Sequence, residues 1–202
     1  MARSWISHVP NNLCLSLVIK PDAVNVARLP LANLSQLLAV SACRALDACE
    51  VTTTLKWPND IQLGGRKIAG VLAETVTKGS NFVGLVLGIG INVNLEAATL
   101  ASIDQPATSL AVHLGHSISV SSLRDRLLGE FFGQYEEFIH AGFPLIRQEF
   151  ISRCRFLGTE IAVRRASDAL QGKASDINSD GALVLSEPDG KLHVVDIAEM
   201  LI

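Results

Sequence analysis

The chain has 202 residues, of which 49% are hydrophobic and 18% are charged, and its formal net charge is −3. This composition predicts a globular protein and excludes an intrinsically disordered one. Because the chain carries no excess of positive charge, binding to a nucleic-acid backbone is not expected.

The first part of the chain predicts two strands and a helix between them. Residues 13–19 form a short apolar run between polar neighbours, which is typical of a buried strand. Residues 30–50 carry apolar side chains at helical spacing, and Pro30 suits the first turn of a helix. The β-branched segment 51–57 predicts a second strand, which a turn at residues 58–60 ends.

A β-hairpin is predicted next. Gly64 and Gly65 form a turn, and the apolar segments 67–76 and 82–91 follow it. Residues 78–81 between these segments are turn-formers, and this spacing is typical of two antiparallel strands.

The middle of the chain is predicted to be helical. A short helix is expected near residues 109–114, followed by an amphipathic helix over 121–140 with its apolar side chains on one side. A further helix is expected from about Pro144 to Cys154.

The pattern changes after this helix. Short strands alternate with Asp-Gly turns at residues 178–181 and 187–190, which indicates a small β-barrel. We therefore expect an α+β protein with two domains. A mixed sheet with helices on one face occupies residues 1–155, and a small C-terminal barrel occupies residues 156–202.

The cysteines and the N-terminal residues predict the compartment. The four cysteines include no C-x-x-C pair, so a disulfide framework or a cysteine metal site is not expected. No apolar run reaches the roughly 20 residues that span a bilayer, and the N-terminus lacks the apolar core of a signal peptide. We expect a soluble cytoplasmic protein without a membrane partner.

Two cations and a carboxylate meet in the segment 55–75. A strand ends before the turn that contains Asn59 and Asp60, and the chain returns as a strand headed by Arg66 and Lys67. The small or apolar residues that follow, up to Gly70, leave room for a lysine ammonium over a pocket. A lysine point charge suits an anionic transition state at phosphorus. The alternatives are a solvated lysine and an Asp60 that only caps the turn.

A second motif is Gly88-Ile89-Gly90-Ile91-Asn92. Glycines at alternate strand positions expose the backbone to a ligand that lies close to it, or they serve close packing of two strands. The Asn92 amide could contact a phosphate or a hydrated metal. Neither a dinucleotide fingerprint nor a P-loop is present, since Val93 occupies the third glycine position and no G-x-x-x-x-G-K-[ST] segment occurs.

Three motifs in this order, K-W-P-N-D, R-K-I-A-G-V-L and G-I-G-I-N, resemble the biotin–protein ligase family. The segments around Ser4-Trp5 and Asn12–Ser16 and the C-terminal barrel are similar to the same family, so the resemblance covers essentially the whole chain. It implies a two-step reaction with biotin and ATP, assisted by Mg²⁺. Biotin is first activated to biotinoyl-AMP and then transferred to a lysine of a biotin carboxyl carrier protein, which belongs to acetyl-CoA carboxylase or another biotin-dependent carboxylase.

The resemblance also implies roles for particular residues. Lys67 matches the catalytic lysine that contacts the biotin carboxylate and the activated phosphate, and Trp5 matches a tryptophan near the adenine. Asn59 and Asp60 match the turn on the nucleotide and metal side. The positions implied for biotin and the adenylate are Trp5, Arg66, Lys67, Gly70, Gly88, Gly90 and Asn92.

The chain departs from the family pattern at two places. The family's Gly-Arg-rich loop does not precede Trp5, and Cys14 stands where the family often has a tyrosine against biotin. The alternatives to a working ligase are therefore a catalytically impaired remnant, a related lipoate or octanoyl transferase, and a bifunctional ligase–repressor. The last would need an N-terminal helix-turn-helix, which these residues lack. A homodimer through the catalytic sheet is a further expectation from the resemblance.

Overall fold

The computed structural model of the chain describes residues 12–20, 31–164, 168–196 and 198–201. Two five-stranded sheets and five α-helices make up this part of the chain. The expected α+β class is confirmed. Trp5, expected near the adenine, lies outside the described residues. None of the described helices is both long enough and apolar enough to cross a membrane.

The elements follow one another as strands, then helices, then strands. The strands are β1 Leu13–Ile19, β2 Thr53–Lys56, β3 Asp60–Leu63, β4 Arg66–Lys78, β5 Asn81–Ile91, β6 Glu160–Arg164, β7 Ala169–Ile177, β8 Leu183–Ser186, β9 Leu192–Val195 and β10 Glu199–Leu201. The α-helices are α1 Leu34–Asp47, α2 Ala97–Leu100, α3 Leu110–Leu114, α4 Val120–Ala141 and α5 Pro144–Arg153.

Most predicted elements are confirmed with small shifts of their bounds. The helix expected over residues 30–50 is α1, which a 3-10 turn at Leu31–Asn33 precedes. β3 departs from the sequence prediction, which places only a turn around Asp60. This short strand forms because the chain reverses twice within a few residues, before Asp60 and again at Gly64–Gly65, where φ is positive.

The first sheet has the strand order β1-β5-β4-β3-β2, and its described strand pairs are all antiparallel. Short turns join β2 to β3, β3 to β4 and β4 to β5, which is the connection that antiparallel strands allow. The prediction of a mixed sheet is therefore wrong for the described strands. Within the described residues, the one parallel contact of this region is the isolated bridge between Lys67 and Ala107, which lies outside the strand pairs.

The two faces of the first sheet differ in what covers them. On one face, Leu87 and Ile91 of β5 are fully buried in the core that includes α1. α1 in turn packs against α4 and α5. On the opposite face, Val18 of β1 is 64% exposed and Leu72 of β4 is 58% exposed. We call this second surface the open face.

The second sheet has the order β10-β6-β7-β8-β9 and is antiparallel and barrel-like. The predicted domain boundary near residue 155 falls between α5 and β6. Arg147 of α5 reaches across to this sheet, where its guanidinium donates to the Asp176 carboxylate at 2.8 Å and to the Ile177 carbonyl at 2.8 Å. The two units are therefore in direct contact.

A partly buried group of charges ties the helices to the edge of the first sheet. The Arg153 guanidinium donates to Glu149 Oε1 at 2.8 Å and to Asp47 Oδ2 at 2.7 Å. Arg44 Nε donates to Glu149 Oε2 at 3.0 Å, and the Thr53 hydroxyl donates to Asp47 Oδ1 at 2.8 Å. Partial burial by itself would raise the pKa of Glu149. The hydrogen bonds and charges of Arg44 and Arg153 outweigh that effect, so the pKa of Glu149 is lowered.

We expect Glu149→Gln to lower the free energy of unfolding at pH 7 by about 1–2 kcal/mol, because its charge-assisted hydrogen bonds with the two arginines Arg44 and Arg153 are weakened and water screens part of their strength. A carboxyl whose folded pKa is depressed stabilises the fold above its unfolded pKa and loses this contribution as pH falls through the folded pKa. The difference between the parent and the variant should therefore shrink as the pH falls and vanish once Glu149 is protonated in the folded protein, which happens at a lower pH than for an ordinary glutamate. Urea titrations at several pH values measure this difference. Glu137→Gln, on the exposed side of α4, is the control that should change nothing.

Candidate active site

Three neighbouring strands place small residues side by side on the open face. Cys14 of β1 lies opposite Gly90 of β5, which in turn lies opposite Gly70 of β4. Ser16 of β1 lies opposite Gly88 of β5, which lies opposite Leu72 of β4. Residues opposite one another on antiparallel strands point to the same face. These six positions therefore form one surface, which we call the glycine trough: Cys14, Ser16, Gly70, Leu72, Gly88 and Gly90.

Packing does not explain the glycine at position 88. A β-carbon built there would have the Leu72 carbonyl oxygen as its nearest neighbour, at the ordinary contact distance of 3.8 Å. The strand could hold a larger side chain at this position, yet the sequence leaves it empty. This favours an open floor for a ligand over the alternative of a glycine required by strand packing.

Lys67 lies beside this trough and forms an ion pair with Asp60. Lys67 Nζ is 2.7 Å from Asp60 Oδ1, and the two side chains are only 15% and 21% exposed. A β-carbon at Gly70 would lie 3.1 Å from Lys67 Cε and 3.2 Å from Asp60 Oδ1, which is tighter than most real contacts. Gly70 therefore leaves the space that the ion pair occupies.

The turn that carries Asp60 is bound to β4. The Asn59 side-chain amide donates to the Val71 carbonyl, and the Val71 amide donates back to the Asn59 carbonyl at 3.1 Å. The Asn59 amide group is thereby engaged with the protein backbone. It holds the next residue, Asp60, opposite Gly70 on the neighbouring strand.

The backbone around Lys67 is fixed by a segment that sequence analysis did not connect to it. The Lys67 amide donates to the Pro106 carbonyl and its carbonyl accepts from the Thr108 amide, both at 2.9 Å. Asn92 belongs to the same arrangement, since its Nδ2 donates to the Thr108 carbonyl at 3.1 Å and its backbone amide donates to the Ile68 carbonyl at 2.8 Å. Asn92 is 4% exposed, so its side chain lies in the interior. Its hydrogen bonds connect the segment 106–108 to the backbone next to Lys67.

The structure does not bring Arg66 to the ion pair. Gln62 lies opposite Lys67, whereas Arg66 lies opposite Leu63, whose side chain is buried away from the open face. Successive strand residues point to opposite faces, so the exposed Arg66 side chain leaves the sheet on the other side from Lys67. Of the cations and the carboxylate expected at one sheet end, only Lys67 and Asp60 are therefore paired.

The open face continues towards the C-terminal sheet. Lys56 of β2 lies opposite Asp60, so its side chain shares the face with the ion pair. Lys56 and Gln62 line one side of a cleft of about 550 Å³, and Arg155, Thr159 and other residues around β6 line the other side. The sequence analysis did not predict these two residues. A prediction of β3 as a strand paired with β2 would have placed Lys56 and Gln62 on the same face as Asp60.

No group of three or more His, Cys, Asp or Glu side chains among the described residues could hold a metal ion. Asp60 Oδ1 is already engaged with Lys67. The arrangement is suited to hold an anion, through the Lys67 ammonium, above an open strand surface.

Two family models match successive parts of the chain. The model described as the Biotin/lipoate A/B protein ligase family matches residues 2–92, which include the trough and the ion pair. The model described as the Biotin protein ligase C terminal domain matches residues 156–202.

Curated relatives are similar over almost the whole chain. The Bifunctional ligase/repressor BirA of Bacillus subtilis is 30% identical over 201 residues, which cover 98% of this chain and 61% of the relative. The Biotin–[acetyl-CoA-carboxylase] ligase of Paracoccus denitrificans is 28% identical over 200 residues, which cover 98% of this chain and 82% of the relative. The chain thus spans 61% of the length of the first of these relatives.

The fold also matches a solved structure. The structure of a biotin protein ligase from Aquifex aeolicus in complex with biotin and ATP has a TM-score of 0.81 and 25% sequence identity, and the match covers 98% of this chain and 81% of that one. The first sheet lies within the residues that the first family model matches, and the second sheet lies within those that the second model matches. The chain therefore belongs to the biotin protein ligase family.

Proposed function

We propose that this protein is an ATP-dependent biotin–protein ligase. In the first step the biotin carboxylate attacks the α-phosphate of ATP, which gives biotinoyl-AMP and pyrophosphate. In the second step a carrier lysine attacks the carbonyl of this mixed anhydride, and AMP leaves. The observation that carries the proposal is the Lys67 ammonium, held by Asp60 at the end of the glycine trough.

The trough suits a flat, largely apolar ligand. Glycine at positions 88 and 90 lets the ligand approach the strand backbone, and Leu72 offers an exposed apolar side chain beside them. A ligand that lies along β5 can direct its carboxylate towards Lys67 on the neighbouring strand. Biotin has this combination of a compact ring system and a carboxylate at the end of an apolar chain.

Lys67 lowers the electrostatic repulsion that opposes adenylation. A carboxylate and a phosphate repel each other, so a cation between them lowers the cost of bringing them together. Because the Lys67 side chain is only 15% exposed, bulk water screens its charge less than it would on an open surface. Asp60 and the Asn59 turn orient the ammonium. In this proposal Trp5 contacts the adenine, and Arg66 contributes charge near the site without reaching the ion pair.

ATP enters as its complex with Mg²⁺, and the ion is part of the substrate. Mg²⁺ is usually bound through one or two carboxylates together with substrate phosphates. Asp60 lies where it could approach such an ion. No step of the proposed mechanism depends on a metal held by the protein alone.

The proposed macromolecular partner is a biotin carboxyl carrier protein, which presents the lysine for the second step. The Paracoccus denitrificans relative bears the name of a ligase for acetyl-CoA carboxylase, which supports this choice. The cleft that Lys56 and Arg155 line opens between the two sheets on the same face as Lys67. The homodimer and the cytoplasmic location stay predictions from sequence.

A related lipoate or octanoyl transferase is the second candidate, since one family model covers both kinds of ligase. The C-terminal model is described as a domain of biotin protein ligases, which favours biotin. The impaired remnant would fold and yet attach no acyl group to a carrier lysine. Pyrophosphate exchange into ATP that depends on biotin identifies the biotin ligase, and exchange that depends on lipoate identifies a lipoate ligase. Transfer of an octanoyl group from an acyl carrier to a lysine, without ATP, identifies the transferase, and the absence of all three activities identifies the remnant.

We expect Lys67→Ala to abolish biotin-dependent pyrophosphate exchange, by at least about a hundredfold, because the transition state loses its positioned cation. The free energy of unfolding should fall by about 1–2 kcal/mol without loss of the fold, because Asp60 loses its partner cation and water reaches only part of its side chain. Lys78→Ala, at the far exposed end of β4, is the matched control and should leave exchange unchanged. Exchange by Lys67→Ala at the parent rate would remove Lys67 from the mechanism.

We expect Gly88→Val to weaken biotin binding by about a hundredfold or more, because the side chain would occupy the floor of the trough. The fold should persist, since valine favours strands and the nearest neighbour of its β-carbon lies at contact distance. Isothermal titration calorimetry with biotin and thermal unfolding measure the two effects. Val76→Ile, an exposed position further along β4, should alter neither. Unchanged biotin affinity in Gly88→Val would place the ligand elsewhere.

A further inference from the structure

One backbone carbonyl of the C-terminal part of the chain is hydrogen-bonded both to α1 and to the residue that follows β2. The Gly181 carbonyl, in the turn between β7 and β8, accepts a hydrogen bond from Trp57 Nε1 at 3.0 Å. It accepts a second from Gln36 Nε2 of α1 at 2.9 Å. Trp57 is 1% exposed, so the contact is made in the interior, between residues 124 positions apart in the chain.

The fit around this carbonyl is close on every side. Asn33 Nδ2 donates to the Asp180 carbonyl at 2.8 Å and to Gln36 Oε1 at 2.7 Å. Gly181 has φ of +77°, and a β-carbon there would lie 2.4 Å from both Asn33 Nδ2 and Gln36 Oε1. Only glycine suits this position, because both the backbone conformation and the space exclude a side chain.

Trp57 stands immediately before the turn that positions the ion pair. Two residues later, Asn59 is bound to Val71 in both directions, and Asp60 follows with its carboxylate on Lys67. The short turn is thus attached at two points, to β4 through Asn59 and to the C-terminal sheet through the Trp57 indole. A shift of the indole would move the chain that leads to Asp60.

We propose that Trp57 and Gly181 are positioning residues through which the C-terminal sheet sets the geometry of the Asp60–Lys67 pair. The two residues act on the ion pair through the turn and do not contact the substrates. The catalytic consequence rests on the proposed ligase function. The effect on the geometry of the Asp60–Lys67 pair does not depend on that function, because both side chains are paired in the absence of any substrate.

Trp57→Phe tests whether the indole hydrogen bond positions the Asp60–Lys67 pair or only holds the C-terminal sheet against the first sheet. Phenylalanine retains an aromatic ring in the core and removes the N–H donor. The Gly181 carbonyl still accepts from Gln36, so no buried acceptor is left without a donor. Arg147→Met is the matched control, because it removes the contacts of α5 with Asp176 and Ile177 at the same junction and leaves Trp57 in place.

The first readout is the rate at which an amine-acylating reagent modifies Lys67, followed by peptide mass spectrometry. An ammonium held on a carboxylate must leave it and lose its proton before acylation, so a loosened pair reacts faster. Asp60→Asn gives the rate for an unpaired Lys67. We expect Trp57→Phe and Gly181→Ala to raise the Lys67 rate about threefold or more towards that reference. Lys78 should react as in the parent, and Arg147→Met should leave the Lys67 rate unchanged.

The second readout is kcat and KM for biotin in pyrophosphate exchange. Trp57→Phe should lower kcat about tenfold with little change in KM, because a displaced cation costs more in the transition state than in binding. Arg147→Met should change neither. Circular dichroism confirms that each variant is folded. A Lys67 acylation rate in Trp57→Phe equal to that of the parent, or an equal rise in Arg147→Met, would overturn the proposal. An inactive parent would refute the ligase function and leave the acylation result decisive.

Discussion

The ion pair between Lys67 and Asp60 is the interaction on which the site depends. A lysine side chain is long and flexible, and in the proposed reaction its ammonium can act between two repelling anions only where it is held still. The carboxylate of Asp60 holds it, and the missing side chain of Gly70 makes room for both groups. The same pair keeps a charge of each sign partly out of water without leaving either one uncompensated.

The fold supplies this pair with support from three directions. The turn at Asn59 is bound to β4, the segment 106–108 fixes the backbone of Lys67, and the C-terminal sheet reaches the turn through Trp57. Behind the sheet, α1 fills the opposite face with apolar side chains, so the strands have a rigid base. The open face is left for the ligand. One face of the sheet is thus packed against the core, and the other face carries glycines and stays accessible. This difference between the two faces makes the sheet a candidate binding surface.

Much of this arrangement could be predicted from sequence, because it rests on local patterns. Short apolar runs bounded by turn residues predict β1, β4 and β5, and helical periodicity predicts α1 and α4. The motif with Lys67 and the alternate glycines at 88 and 90 were singled out together. The structure places them on adjacent strands of one face.

The rest depends on contacts between distant parts of the chain. β3 escaped prediction because Pro58, Asn59 and Asp60 favour a turn, and the register that pairs Asp60 with Gly70 comes from strand pairing and not from local preference. The link from Trp57 to Gly181 crosses 124 residues and leaves no pattern in either segment. From sequence, the Asn92 amide could contact a phosphate or a hydrated metal. In the structure its Nδ2 donates to the Thr108 carbonyl, a partner that only the folded chain brings near.

We propose that Lys67 brings an acid to a nucleotide above a strand whose surface is formed by glycines. A crystal structure of the protein with biotin and a non-hydrolysable ATP analogue tests it most directly. We predict the biotin carboxylate within about 3 Å of Lys67 Nζ and the ring system over Gly88 and Gly90. Biotin bound on another surface, with Lys67 still closed on Asp60 and facing only solvent, would contradict it.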